Sequence, residues 1–173
     1  MKTWLETKIH QVKVHAEKRW YPFALGITAI VYHFFLIMPV DSLFVASSLI
    51  APKRWFTFVI ATTTGFTIGG TTFAYLVSRL GPQFVEKVIP NITDHRIWTQ
   101  AESWMHHYGV FALGGISIIP FTLHPLVAMA GLQHMSIFVI ALSLFTGRLI
   151  KYSVMGWFCA YLPGKIPFHK HKK

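Results

Sequence analysis

The chain has 173 residues, 53% of them hydrophobic and 13% charged, with a formal net charge of +10 and a mean hydropathy of +0.47. Soluble domains carry about a quarter charged residues, so this composition excludes an ordinary soluble domain and points to a one-domain integral membrane protein. The excess of cations then reads as cytoplasmic loops facing anionic lipid heads, with no nucleic-acid partner expected. The single Cys159 excludes an internal disulfide and a cysteine-rich metal site.

Residues 1–20 are polar, yet Leu5, Ile9, Val12, Ala16 and Trp20 recur at helical spacing while Lys2, Lys8, Lys13, Lys18 and Arg19 take other positions. A basic amphipathic helix on a membrane surface fits this pattern, and so does a solvated leader helix. No small-x-small cleavage site follows, which argues against a signal peptide. Residues 22–51 are apolar but divided at Met38-Pro39-Val40-Asp41-Ser42. Either 22–38 crosses the bilayer alone, or 22–51 enters, turns at Pro39 and leaves on the same side. Leu43 to Ala51 is too short to cross, since spanning takes about twenty helical residues; this favours the re-entrant hairpin.

Lys53-Arg54 marks an interface, and Trp55 to Leu80 follows as a 26-residue span. It contains Gly65 and Gly69 at small-xxx-small spacing and seven threonines suited to cross-helix hydrogen bonds. Beyond Gly81 the chain turns polar. Within 82–107, Ile97, Trp98, Ala101, Trp104, Met105 and Tyr108 form one face of a helix starting near Thr93 or Asp94. Asn91-Ile-Thr93 is a formal glycosylation sequon of a kind that arises easily by chance. Residues 108–134 repeat the broken arrangement about Pro120, 136–161 form a second full span, and 162–173 form a basic tail.

The two halves align. Met38-Pro39 answers Ile119-Pro120, Ser47-Ser48-Leu49 answers Ala130-Gly131-Leu132, and Phe58-Val-Ile-Ala61 equals Phe138-Val-Ile-Ala141, all at an offset of 80 to 83 residues. The expected fold is therefore all-α: a single membrane domain over 21–161 built from two inverted repeats, each a re-entrant helical hairpin followed by a transmembrane helix. Such architectures place their site near the midplane. One side collects Lys2, Lys8, Lys13, Lys18, Arg19, Lys53, Arg54, Lys165, Lys170, Lys172 and Lys173, and by the positive-inside rule that side, with both termini, is cytoplasmic. The other side collects Arg79, Lys87 and Arg96 together with Glu86, Asp94 and Glu102, which leaves Arg148 and Lys151 inside the second span.

This arrangement resembles the DedA family, also called VTT-domain or SNARE-associated Golgi membrane proteins, and in particular the short bacterial YqaA-like branch. The resemblance rests on Pro39-x-Asp41, on Gly65-x-x-x-Gly69 with Tyr75-x-x-x-Arg79-x-Gly81, on Trp104-x-x-x-Tyr108-Gly109 running to Pro120, and on Ala130-Gly131 leading to Gly147-Arg148-x-x-Lys151. It implies movement of lipids between leaflets of a bacterial inner membrane, with a phospholipid or a polyprenyl phosphate as substrate, and a link to proton-motive force. It also implies that Asp41 takes the place of the family's hairpin acid. The chain departs from the pattern at the second break: larger members carry arginines where Ser117 and Leu123 stand, and the YqaA-like branch a lysine where Thr122 stands.

From the residues themselves, an acid at a hairpin tip must find a cation or become protonated, because burying an unpaired carboxylate costs several kcal/mol. Asp41 is therefore expected to face Arg148 or Lys151. The pair either locks hairpin to span structurally or leaves one net positive charge for a lipid phosphate. His124 either carries a proton or bonds a carbonyl freed by Pro120. The candidate transport set is Asp41, Arg148, Lys151, His124, Pro39, Pro120 and Tyr152, with Gly65, Gly69, Gly131 and Gly147 as packing glycines. No metal is expected at His95, His106 and His107, since adjacent histidines point to different helix faces. His124 and His134 make a poor haem pair. No nucleotide loop or nucleophile elbow occurs, so neither a cofactor nor an enzymatic reaction is expected. Lipid translocation is the leading function, and ion-coupled transport of a small cation or solute on Asp41 is the alternative. A non-transporting scaffold is a third class. Nothing in the sequence opposes a homo-oligomer.

Overall fold

A computed structural model describes residues 18–35, 40–88, 90, 92, 96–119 and 123–161. The helix expected over most of 1–20, Pro39, Pro120, Thr122, the sequon residues Asn91 and Thr93, His95 and the basic tail lie outside these described residues. Among the described residues every regular element is helical. Helix α1 covers Tyr21–Phe35, α2 Val40–Ile50, a single 3₁₀ turn Pro52–Arg54, α3 Trp55–Leu80, α4 Pro82–Val88, α5 Arg96–Tyr108, α6 Val110–Ile118, α7 His124–Leu132 and α8 Ile137–Tyr161.

Local chemistry accounts for several boundaries. Pro22 occupies the first turn of α1, where its missing N–H costs nothing. Gly81 ends α3 at φ 72°, a conformation awkward for residues bearing a Cβ, and its N–H donates to the Val77 carbonyl at 2.9 Å. In α5, Ala101 and Met105 are buried and Trp98 and Trp104 pack partly against the core, whereas Tyr108 is 64% exposed. The buried stripe of α5 is thus narrower than its periodicity predicts.

The antiparallel pair α3 and α8 forms the axis: Gly70 faces Leu144, and Val59 and Trp55 face Gly156. Helix α1 runs beside α3 in the same direction, since Gly26 meets Ala61 and Gly65 while Ile30 and His33 meet Gly69. Helix α2 returns along α8, with Asp41 beside Lys151 and Phe44 against Tyr152 and Gly156. Tyr21 at the start of α1 hydrogen-bonds Ser47 near the end of α2 at 2.9 Å, so α1 and α2 form a closed hairpin. In the second half α6 packs on α8, and α7 packs on α3.

Glycine makes these approaches close. A Cβ at Gly65 would coincide with the Gly26 carbonyl, and one at Gly147 would strike Ser117 and the Gly114 carbonyl. Gly69 closes on Ile30 and His33 of α1, and Gly131 of α7 closes on the Ala74 carbonyl of α3.

Among the described residues only α8 is by itself long and apolar enough to cross a membrane; α3 meets the same standard only jointly with α2, to which it is bent by 115°. At about 1.5 Å per residue α3 is long enough, but its seven threonines and its glycines lower its mean hydropathy. Helix α1, at 15 residues, is shorter than a span.

Polarity is distributed inside out. His33, Ser47, Ser48, Thr62, Thr63, Ser117, His124, Arg148 and Lys151 are buried. Meanwhile Phe23, Ile27 and Phe35 of α1, Phe56 and Ile68 of α3, and Phe138, Leu142 and Val154 of α8 are exposed.

Candidate functional site

The site forms where the first turn of α2 meets the middle of α8. Asp41 is the second residue of α2, where the helix dipole favours an anion. Lys151 Nζ donates to one Asp41 carboxylate oxygen at 2.6 Å, and the Tyr152 hydroxyl donates to the other at 2.9 Å. The two partners are unequally placed: the Lys151 side chain is 4% exposed and the Asp41 side chain 41%. The open flank of Asp41 borders a groove of about 420 Å³ lined also by Ser42, Val45, Ala46, Leu49 and Met155.

Arg148 lies one turn earlier on the same face of α8 and is 3% exposed. Among the described residues no carboxylate lies within ion-pairing distance of it. Its guanidinium instead sits 3.8 Å from the centre of the Phe66 ring and 6.0 Å from that of Tyr152. Aromatic faces stabilise a cation by about 2 kcal/mol when water is excluded, far less than burial of a full charge costs. One acid therefore faces two cations, and the site carries a surplus positive charge held in the protein interior.

His124, at the start of α7, is buried in an aromatic cluster with Tyr32 at 5.0 Å, His33 at 5.3 Å and Phe73 at 6.2 Å between ring centres. His33 packs 4.4 Å from Phe66, so the cluster adjoins the ring that carries Arg148. Tyr32, His33 and Phe66 escape sequence reasoning. The only signal is a histidine within an apolar stretch, and nothing local fixes which helix it meets.

The structure thus brings together Asp41, Lys151 and Tyr152, places Arg148 and His124 in one adjoining polar-aromatic core, and sets the four packing glycines at helix crossings, with Gly69 against the His33 ring of that core. His106 and His107 are exposed neighbours on α5. Among the described residues no group of three or more histidines, cysteines or acids is placed to hold a metal.

Comparison with known proteins adds a sequence relationship. An uncharacterised protein of Haemophilus influenzae is 24% identical over 148 residues, covering 84% of this chain and 76% of the relative. No family model matches the chain. No solved structure matches it.

Proposed function

We propose that this chain is a DedA-like integral membrane protein of the bacterial inner membrane that moves a phospholipid or polyprenyl-phosphate head group between leaflets. The observation that carries the reading is Arg148, a buried cation with no acid beside it, one turn from a lysine already neutralised by Asp41. A structural ion pair needs equal charges; a surplus cation in a desolvated interior suits a ligand that brings its own negative charge.

Three further observations support the membrane part of the proposal. Exposed apolar residues run along α1, α3 and α8, as a lipid-facing surface would carry. A closed α1–α2 hairpin that starts and ends at one end of α3 fits a re-entrant element. The antiparallel α3 and α8, each carrying its own first helix through a glycine contact and the other half's second helix, fit two inverted repeats with cytoplasmic termini.

The alternative, a small cation carried on Asp41, is disfavoured because Lys151 and Tyr152 occupy both carboxylate oxygens. The deciding experiment is leaflet exchange in liposomes holding the purified protein, with fluorescent lipids of several head groups. Protein-dependent exchange lost in Arg148→Gln supports the proposal. Exchange unaffected by that change, or an absence of exchange for every lipid, overturns it.

A further inference from the structure

On the face away from the candidate site, α1 and α3 enclose a groove of about 780 Å³ whose walls include Phe23, Ile27, Ile30 and Ile60. Arg19 and Arg54 line it, Arg19 two residues before the start of α1 and Arg54 immediately before that of α3, so both cations stand at the same end. That end is tied together, because Arg54 Nη1 donates to the Lys18 carbonyl at 2.8 Å. Among the described residues no acid lines the groove. From Arg54 to Ile68 the lining follows α3 for fourteen residues, about 21 Å at 1.5 Å per residue. One leaflet with its head groups is about 20 Å deep. Length, apolar walls and a cationic mouth match one molecule with one acyl tail and one anionic head.

We propose that the α1–α3 groove retains an anionic glycerophospholipid, one acyl chain between the two helices and its phosphate at Arg19 and Arg54. The inference rests on the membrane reading above but not on transport, because the groove shares no lining residue with the Asp41 site. A zwitterionic lipid would fill the same walls but gain less at the mouth. Each basic residue near a charged lipid surface contributes about 1 kcal/mol, so two give a preference of about tenfold or more.

The test is native mass spectrometry of the full chain, delipidated in detergent and then given phosphatidylglycerol or phosphatidylcholine. One phosphatidylglycerol should be retained about tenfold more strongly than phosphatidylcholine. Arg19→Gln with Arg54→Gln should erase the preference, and the Lys replacements should keep it. Thr64→Trp, an exposed groove residue facing away from the core, should weaken both lipids by filling the walls while leaving the mouth intact.

Equal retention of the two lipids by the unchanged chain, or a preference that survives the glutamine changes, overturns the inference. So does tighter binding after removal of residues 1–17, or a dimer that lipid fails to dissociate, since the chain's own segment or a second copy would then cover the groove. Failure of the membrane reading looks different: the chain would stay monodisperse without detergent and bind neither lipid.

Discussion

Asp41 and Lys151 hold each other at 2.6 Å but are buried to different depths, and that asymmetry predicts unequal costs for removing either one. Asp41→Asn keeps the size and an acceptor for Tyr152, yet leaves the Lys151 ammonium enclosed without a counter-charge. Breaking a buried pair in this sense costs about 3–5 kcal/mol. Since one flank of Asp41 is open, the lower end, about 3 kcal/mol, is expected. Lys151→Met fills the alkyl space and leaves a carboxylate that keeps Tyr152 and turns its open flank to the groove. If the groove is wet, as passage of a lipid head group requires, that change costs about 1 kcal/mol.

The assay is reversible unfolding in mixed micelles. For a chain of this size 1 kcal/mol corresponds to about 2–4 °C in Tm, so Asp41→Asn should lower Tm by about 6–12 °C and Lys151→Met by about 2–4 °C. The double replacement Asp41→Leu with Lys151→Met should fold with near-original stability, because apolar substitutes for a buried pair are often neutral, and should be inactive in leaflet exchange. The reverse order of costs would refute a wet groove. A fully active double variant would refute the assignment of these charges to the substrate.

Arg148→Met should raise or preserve stability, because an enclosed cation without an acid is removed, while leaflet exchange is lost; a drop in Tm larger than about 4 °C would contradict this. Gly65→Val should lower stability by about 3 kcal/mol, as its side chain would displace the α1 backbone at Gly26, whereas the same change at Gly114, which has open space, should cost less than 1 kcal/mol beyond propensity; unfolding midpoints decide. With Cys159 replaced by alanine, single cysteines at Lys53 and at Gln83 should react from opposite faces of the membrane, and one at Gln133 from the same face as Gln83. Labelling of Lys53 and Gln133 from one face would remove the inverted arrangement.

Much of the architecture is legible because the chain punctuates it. Lys53-Arg54 before and Gly81 after an apolar stretch mark α3 at Trp55–Leu80 to the residue. Asp41 finding a cation on α8 follows from scarcity: a carboxylate in an apolar segment has few partners to choose from. Which cation it takes is not legible. Arg148 and Lys151 share one helix face three residues apart, and only the register of α2 along α8 puts Asp41 nearer Lys151. The same limit hides the support for Arg148. Phe66 is one of 15 phenylalanines, and its role arises where α1, α3, α7 and α8 converge. The hydropathy of α3 misleads in the other direction, because the buried Thr62 and Thr63 count against a helix whose outward residues include Phe56, Ile60 and Ile68.

The position of the charges separates two explanations that composition leaves together. Polar groups placed only to hold helices would be expected to pair off within the interior, as Tyr21 does with Ser47. Asp41, Lys151 and Tyr152 do pair, but Arg148 rests on rings and adds a charge that the fold itself does not neutralise. Its enclosure lowers stability with only the neighbouring rings to offset it, and such costs concentrate where a site must act on something else. On the proposed reading, a lipid phosphate reaching the Asp41 groove would meet Lys151 beside it and gain the unneutralised Arg148 one turn away on α8.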